Sequence, residues 1–113
     1  MKLKLFPPHI VRTVDDIKGG GWGQARAMFV TLEKAAPDYV YQHELAHVKQ
    51  FYLTLGLHGV LYRFVKRYRL WSEVQAYKQS IRHGRPLASA AKGLMWDKYG
   101  FDLTLDQAKS LLE

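Results

Sequence analysis

The sequence predicts an α+β fold: a small mixed or antiparallel sheet with an exposed edge strand, followed by a predominantly helical second part. Three observations predict it. Polar and apolar residues alternate through the first third, which is the period of a strand, whereas apolar residues recur every three or four positions after Pro37, which is the period of a helix. Gly56, Gly84 and Gly100 fall where those later periodic stretches end, the usual place for a glycine that stops a helix.

Lys2 to Phe6 alternates, Pro7-Pro8 interrupts it, and Ile10 to Val14 alternates again, so two short strands are expected. Gly19, Gly20, Gly21, Trp22 and Gly23 cannot form a regular element without a large entropic cost, which predicts a mobile loop and a candidate substrate flap. The loop lacks the Lys and Ser/Thr of a phosphate-binding loop, so nucleotide binding is not expected there. Ala25 to Glu33 then places Ala25, Ala27, Phe29 and Thr31 on one side and Arg26, Met28, Val30 and Leu32 on the other, and reads as one strand.

Pro37 and Asp38 open a helix, proline being tolerated at its start and the aspartate matching the first-turn dipole. It should run to about Leu55, with Leu45, Val48, Tyr52 and Leu55 as its buried stripe. Val60 to His83 reads as a second helical stretch, bent near Trp71-Ser72, with Leu70, Val74, Tyr77 and Ile81 as its apolar line. Leu87 to Tyr99 reads as a third helix entered through Pro86. Thr104-Leu105-Asp106-Gln107 is a capping-box pattern that starts a short terminal helix through Leu112.

The chain has 113 residues, which is one domain spanning 1–113, and 48% of them are hydrophobic, enough for a packed core. The absence of cysteine excludes disulfides, thiol catalysis and thiolate metal sites, so any metal must be held through His, Asp or Glu. No stretch approaches the ~18 apolar residues of a membrane span, and the start lacks the apolar run of a signal peptide, so a cytoplasmic protein with no membrane partner is expected. Seventeen Lys+Arg against ten Asp+Glu give a formal charge of +7 and raise the question of a nucleic-acid partner. The densest basic cluster, Arg63, Lys66, Arg67 and Arg69, interleaves with Leu61, Phe64, Val65 and Leu70 at helical spacing. That pattern favours a solvated face over a binding patch.

His43-Glu44-Leu45-Ala46-His47 lies inside the first predicted helix. Residues four apart stack on one helix face, so both imidazoles can reach a single ion at about 2.0 to 2.1 Å. Glu44, turned about 100° from His43, falls beside such an ion, where a carboxylate that does not bind it can take a proton from water. His43, His47, Gln50 and Thr54 form a stripe distinct from the apolar one, so the histidines are expected off the main buried line. A third ligand remains to be found. The pattern that continues with Gly and then His would need them at positions 50 and 53, which are Gln50 and Leu53. Glu73 lies 26 residues after His47, on the next helical segment, and is the one acid between Glu44 and Asp97. Two helices joined by a short connection run antiparallel and can set Glu73 opposite His47, with Ala76 and Ser80 on its face allowing close approach.

The motif from His43 to His47, followed by Glu73 with Ala76-Tyr77 behind it, resembles the gluzincin class of zinc metallopeptidases, and in particular its minimal single-domain members. The likeness covers roughly residues 25 to 83. It implies a zincin-like fold with the motif on an active-site helix and a glutamate helix after it. His43, His47 and Glu73 would hold one zinc ion per chain, and Glu44 would be general base and then proton donor in peptide hydrolysis. It also implies a peptide or protein substrate paired along the strand Ala25 to Glu33. A terminal segment can cover the cleft of such minimal enzymes, which makes the helix near Leu105 to Leu112 a candidate inhibitory segment. For the oxyanion donor Tyr77 comes first, then His58 and Arg63. Two alternatives stand beside the hydrolase: a basic nucleic-acid-binding module, and a catalytically silent zincin-like domain acting through a protein partner. Neither substrate specificity nor oligomeric state follows from the sequence.

Overall fold

A computed structural model describes residues 2–5, 7–17 and 21–113. Phe6, Gly19 and Gly20, which figured in the strand and loop expectations, lie outside the described residues. The fold is α+β, a four-stranded mixed sheet followed by helices. Strand β1 (Lys2–Leu5) pairs antiparallel with β2 (Pro8–Val14), and β2 pairs parallel with β4 (Phe29–Glu33). Strand β3 (Gly23–Arg26) lies on the far edge, antiparallel to β4, so the order is β1-β2-β4-β3.

The single strand expected over Ala25 to Glu33 is therefore two strands of a hairpin, which turns at Ala27 and Met28 with Ala27 at φ 52°. A left-handed backbone at an alanine carries no glycine, asparagine or proline signal, and alternation continues across a two-residue turn. That is why the sequence reads as unbroken. The consequence is that β4 is interior, with Val30 fully buried, and of the two hairpin strands β3 is the one at the sheet edge.

Helix α1 (Asp38–Leu53) begins after Pro37 and packs on β3 and β4. Gly23 permits the approach: a Cβ built there would lie 2.8 Å from Val40 Cγ1 and 3.1 Å from Glu44 Cγ. The helix ends two residues earlier than expected, and the chain reverses through Leu55 at φ 56° and Gly56 at φ 89°. The stretch from Val60 to His83 is broken rather than bent, into α2 (His58–Phe64) and α3 (Lys66–Arg82). The break falls at Val65, not at Trp71-Ser72, and Arg69 compensates it by donating to the carbonyls of Tyr62 and Arg63 at 2.9 and 3.2 Å, carbonyls of the last turn of α2.

Helix α4 (Leu87–Leu94) is shorter than the expected Leu87 to Tyr99, since Trp96 is extended and Asp97–Tyr99 forms a separate 3-10 turn. Helix α5 (Leu105–Leu112) starts at the expected capping box, with Gln107 N–H donating to Thr104 Oγ1 and Thr104 N–H to Gln107 Oε1. Val74 and Tyr77 of α3 join Ala90, Ala91 and Leu94 of α4, Tyr99, Phe101, and Ala108 and Leu112 of α5 in one apolar cluster. The terminal helix, considered above as a cover for the cleft, packs into this cluster instead. No helix among the described residues is long and apolar enough to cross a membrane.

Candidate metal centre

Helix α1 meets α3 along a face that carries His43, Glu44, His47 and Gln50 on one side and Ser72, Glu73, Ala76 and Ser80 on the other, all of them buried. The expected facing of α1 holds at Val48, which is fully buried, and fails at the rest of the apolar stripe. The histidine stripe is the interior one, while Leu45 is only half-buried and Leu55 is 93% exposed. Hydrophobic periodicity finds an interior face only when that face is apolar. Here α3 buries a polar face by offering it polar partners.

Glu73 reaches both histidines from the neighbouring helix: its Oε1 lies 3.2 Å from Nε2 of His43 and 3.3 Å from Nε2 of His47. Ser72, Ala76 and Ser80, one turn apart and each fully buried, keep side chains small where the helices come together. Gln50 and Ser72 hold the second ring. Nδ1 of His47 is 3.0 Å from Gln50 Oε1 and 3.1 Å from Ser72 Oγ, Ser72 donates to Gln50 Oε1 at 2.6 Å, and Gln50 Nε2 donates to the Ser72 carbonyl at 3.1 Å. Such partners fix the ring so that Nε2 faces inward, the arrangement typical behind a metal ligand. Nδ1 of His43 is buried with no hydrogen-bond partner among the described residues, and the edge of that ring meets Tyr77 at a centroid distance of 4.3 Å.

Ligand atoms of His43, Glu44 and His47 lie within 4.8 Å of one another, and this buried group can hold a metal ion. Burial by itself would lower the His47 pKa, but the Glu73 charge and hydrogen bond, with smaller help from Glu44 and Gln50, raise it to about 9. For Glu73, burial pushes upward and is outweighed by the two histidines, leaving its carboxyl well below the usual range. Glu44 moves the opposite way, because burial outweighs its attraction to His43 and His47, and Glu73 repels it. It has no hydrogen-bond partner among the described residues, and it borders two adjoining cavities.

One cavity, of 440 Å³, is lined by the edge strand from Gly23 to Ala27 and by both histidines, Glu44, Glu73, His58 and Tyr62. The other, of 550 Å³, extends from His43 and Glu44 past Tyr77 to Arg85 and Lys92. Trp96 and Tyr99 line both, whereas no residue of α5 lines either.

Of the three candidate oxyanion donors, Tyr77 borders the larger cavity with its hydroxyl 3.1 Å from that of Tyr99. His58 borders the smaller one with its Nδ1 2.6 Å from the Tyr68 hydroxyl. Burial, then the neighbouring His47, lowers its pKa to about 4. Arg63 lies outside both cavities, with its guanidinium over Phe64. Sequence reasoning did not single out Tyr62, whose hydroxyl donates to Glu73 Oε2. Its spacing of four from His58 on α2 is the signal that could have found it, since both rings face the site from one side of that helix. Ser72 was likewise taken for a bend. No family model, curated protein or solved structure matches the chain.

Proposed function

We propose that this chain is a zinc-dependent peptidase in which His43, His47 and Glu73 hold the metal and Glu44 moves the proton. The observation that carries the reading is the convergence of two imidazole nitrogens and one carboxylate oxygen from separate helices. Ligands about 2.0 to 2.1 Å from a tetrahedral zinc stand about 3.3 Å from each other. The separations of 3.2 and 3.3 Å between Glu73 Oε1 and the two Nε2 atoms suit that spacing. Three protein donors of this type, with no cysteine in the chain, are the set of a catalytic rather than a structural site.

A zinc ion held there would supply Lewis acidity toward a peptide carbonyl and toward water. The chain's own residues do the rest. Glu44, bordering both cavities and without a hydrogen-bond partner among the described residues, takes the proton from the attacking water and passes it to the leaving amine. Strand β3 offers an unpaired backbone edge along the smaller cavity, where an extended peptide adds as a further strand. Tyr77 is the donor to the developing oxyanion: its hydroxyl pairs with that of Tyr99, and when Tyr99 donates in that pair the Tyr77 proton is left for the substrate. Tyr62 steadies Glu73 through Oε2, leaving Oε1 for the ion.

The test is metal analysis combined with peptide hydrolysis. Wild type should bind about one zinc per chain, His47→Ala should bind much less, and Glu44→Gln should keep the metal while losing hydrolysis by about a thousand-fold or more. Cleavage that survives in Glu44→Gln would remove the mechanism, and wild type without metal affinity would remove the site.

A further inference from the structure

Arg85 stands between α3 and α4 and borders the larger cavity together with His43 and Glu44. Its guanidinium carbon lies 5.3 Å from the ring centroid of Tyr39 and 5.1 Å from that of Tyr77, and Nε donates to Ser89 Oγ at 3.1 Å. The group thus lies against two aromatic rings and is held at one nitrogen. Its two terminal nitrogens donate to nothing among the described residues, and no carboxylate among them lies within 4.0 Å. A half-buried guanidinium normally finds a counter-ion, because its desolvation must be offset. Here the fork opens on the cavity instead. Glu44 is the one carboxylate among the described lining residues, and Lys92 and Lys98 add further positive charge.

We infer that Arg85 is the receptor for a carboxylate of the substrate, so that the site selects acidic peptides. A planar guanidinium with two free N–H groups side by side matches a carboxylate bidentately, and the rings of Tyr39 and Tyr77 against it limit its freedom to turn away. Tyr77 sets the reach. Its ring contacts both His43 and Arg85, so the captured carboxylate falls within about three residues of a bond placed at Glu44. Two sources share this chemistry, an Asp or Glu side chain and a free peptide C-terminus. The inference rests on the peptidase reading, and the experiment keeps the two apart.

Zinc-loaded protein is given quenched fluorogenic peptides that differ only by Glu or Gln at each of three positions flanking the scissile bond, each with a free or an amidated C-terminus. The expected result is a kcat/KM at least about ten-fold higher for the carboxylate member of one pair, carried by KM. An internal Glu with this advantage identifies a side chain, and an advantage for free C-termini identifies the terminal carboxylate. In Arg85→Met the ratio within that pair should fall to about one, and Arg85→Lys should restore part of it. Because the ratio is internal to each variant, a merely less stable protein does not move it. Equal rates for acid and amide in wild type, or a preference that persists in Arg85→Met, overturns the inference. If no peptide is cleaved, the peptidase reading has failed and the receptor is judged by calorimetric titration with the same peptides. Acid-over-amide binding that disappears in Arg85→Met then upholds it, and its absence in wild type refutes it.

Discussion

Helix α3 serves two interiors of opposite character. Toward α1 it presents Ser72 and Glu73 to a set of histidines, a glutamate and a glutamine, while toward α4 and α5 it presents Val74 and Tyr77 to alanines, leucines and aromatic rings. The side chains of both are buried, though the polar one borders the two cavities. The apolar interior is stable by default, since its burial gains free energy in proportion to area and leaves no group unsatisfied. The polar interior is conditional: each ionisable group there is tolerable only while its neighbours answer it, and breaking one contact exposes the cost of all the others. A chain with a modest core gains little stability from such an arrangement. It gains a fixed geometry of donors.

The comparison can be broken from either side. The largest effect is expected in the apolar interior, where Leu94 is fully buried. Leu94→Ala should cost about 3 to 4 kcal/mol in chemical denaturation yet leave zinc stoichiometry in the folded protein unchanged. Loss of metal binding at temperatures where the variant remains folded would show that the two interiors are one unit. Glu73→Ala attacks the other side, stripping the counter-charge from His47 and the acceptor from Tyr62. About 3 kcal/mol of stability should go, together with most of the bound metal, and stability equal to wild type in the metal-free protein would mean that the pair is not the organising contact.

Tyr77 is where the interiors meet, and Gly93 packs directly on it. A Cβ at Gly93 would lie 2.6 Å from the Tyr77 hydroxyl and 2.7 Å from its ring. Gly93→Ala should therefore cost about 2 kcal/mol by overpacking and lower peptide turnover through the displaced tyrosine, with zinc retained. Unchanged melting and turnover would show that the contact is slack. Ser72→Ala probes the support behind His47. About 1 kcal/mol of stability and roughly ten-fold in zinc affinity are expected, the second by competition with a chelator, and an unaltered affinity would leave the serine a packing residue only. The smallest effect lies outside both interiors. Leu55, exposed and at φ 56°, should gain about 0.5 to 1 kcal/mol on replacement by Gly, because the left-handed backbone disfavours a side chain that buries nothing. A loss of stability would mean that Leu55 makes a contact in solution.

Several features were legible in the sequence because their cause is local. The capping box at Thr104 and Gln107, the opening of α1 at Pro37-Asp38 and the stacking of His43 on His47 depend on residues within one turn of each other, so spacing alone declares them. Glu73 could also be named, since it is the one acid in a long basic stretch and a helical hairpin brings it back. The hairpin at Ala27, the break at Val65 and the burial of the histidine face were not legible. Each depends on something distant: a β-sheet register, the guanidinium of Arg69 reaching back to two carbonyls, a polar face on α3.

What the sequence by itself determined is the class of fold and the chemical identity of the candidate ligands, because composition, period and motif are written residue by residue. Which face of α1 turned inward, and that a glutamate, a glutamine, a serine and a tyrosine would close around two imidazoles while Arg85 stood open beside them, was decided only by tertiary structure. Hydrogen bonds and charge pairs between helices have no period along the chain. Their free energy depends on distances of about 3 Å that exist only once the helices are packed.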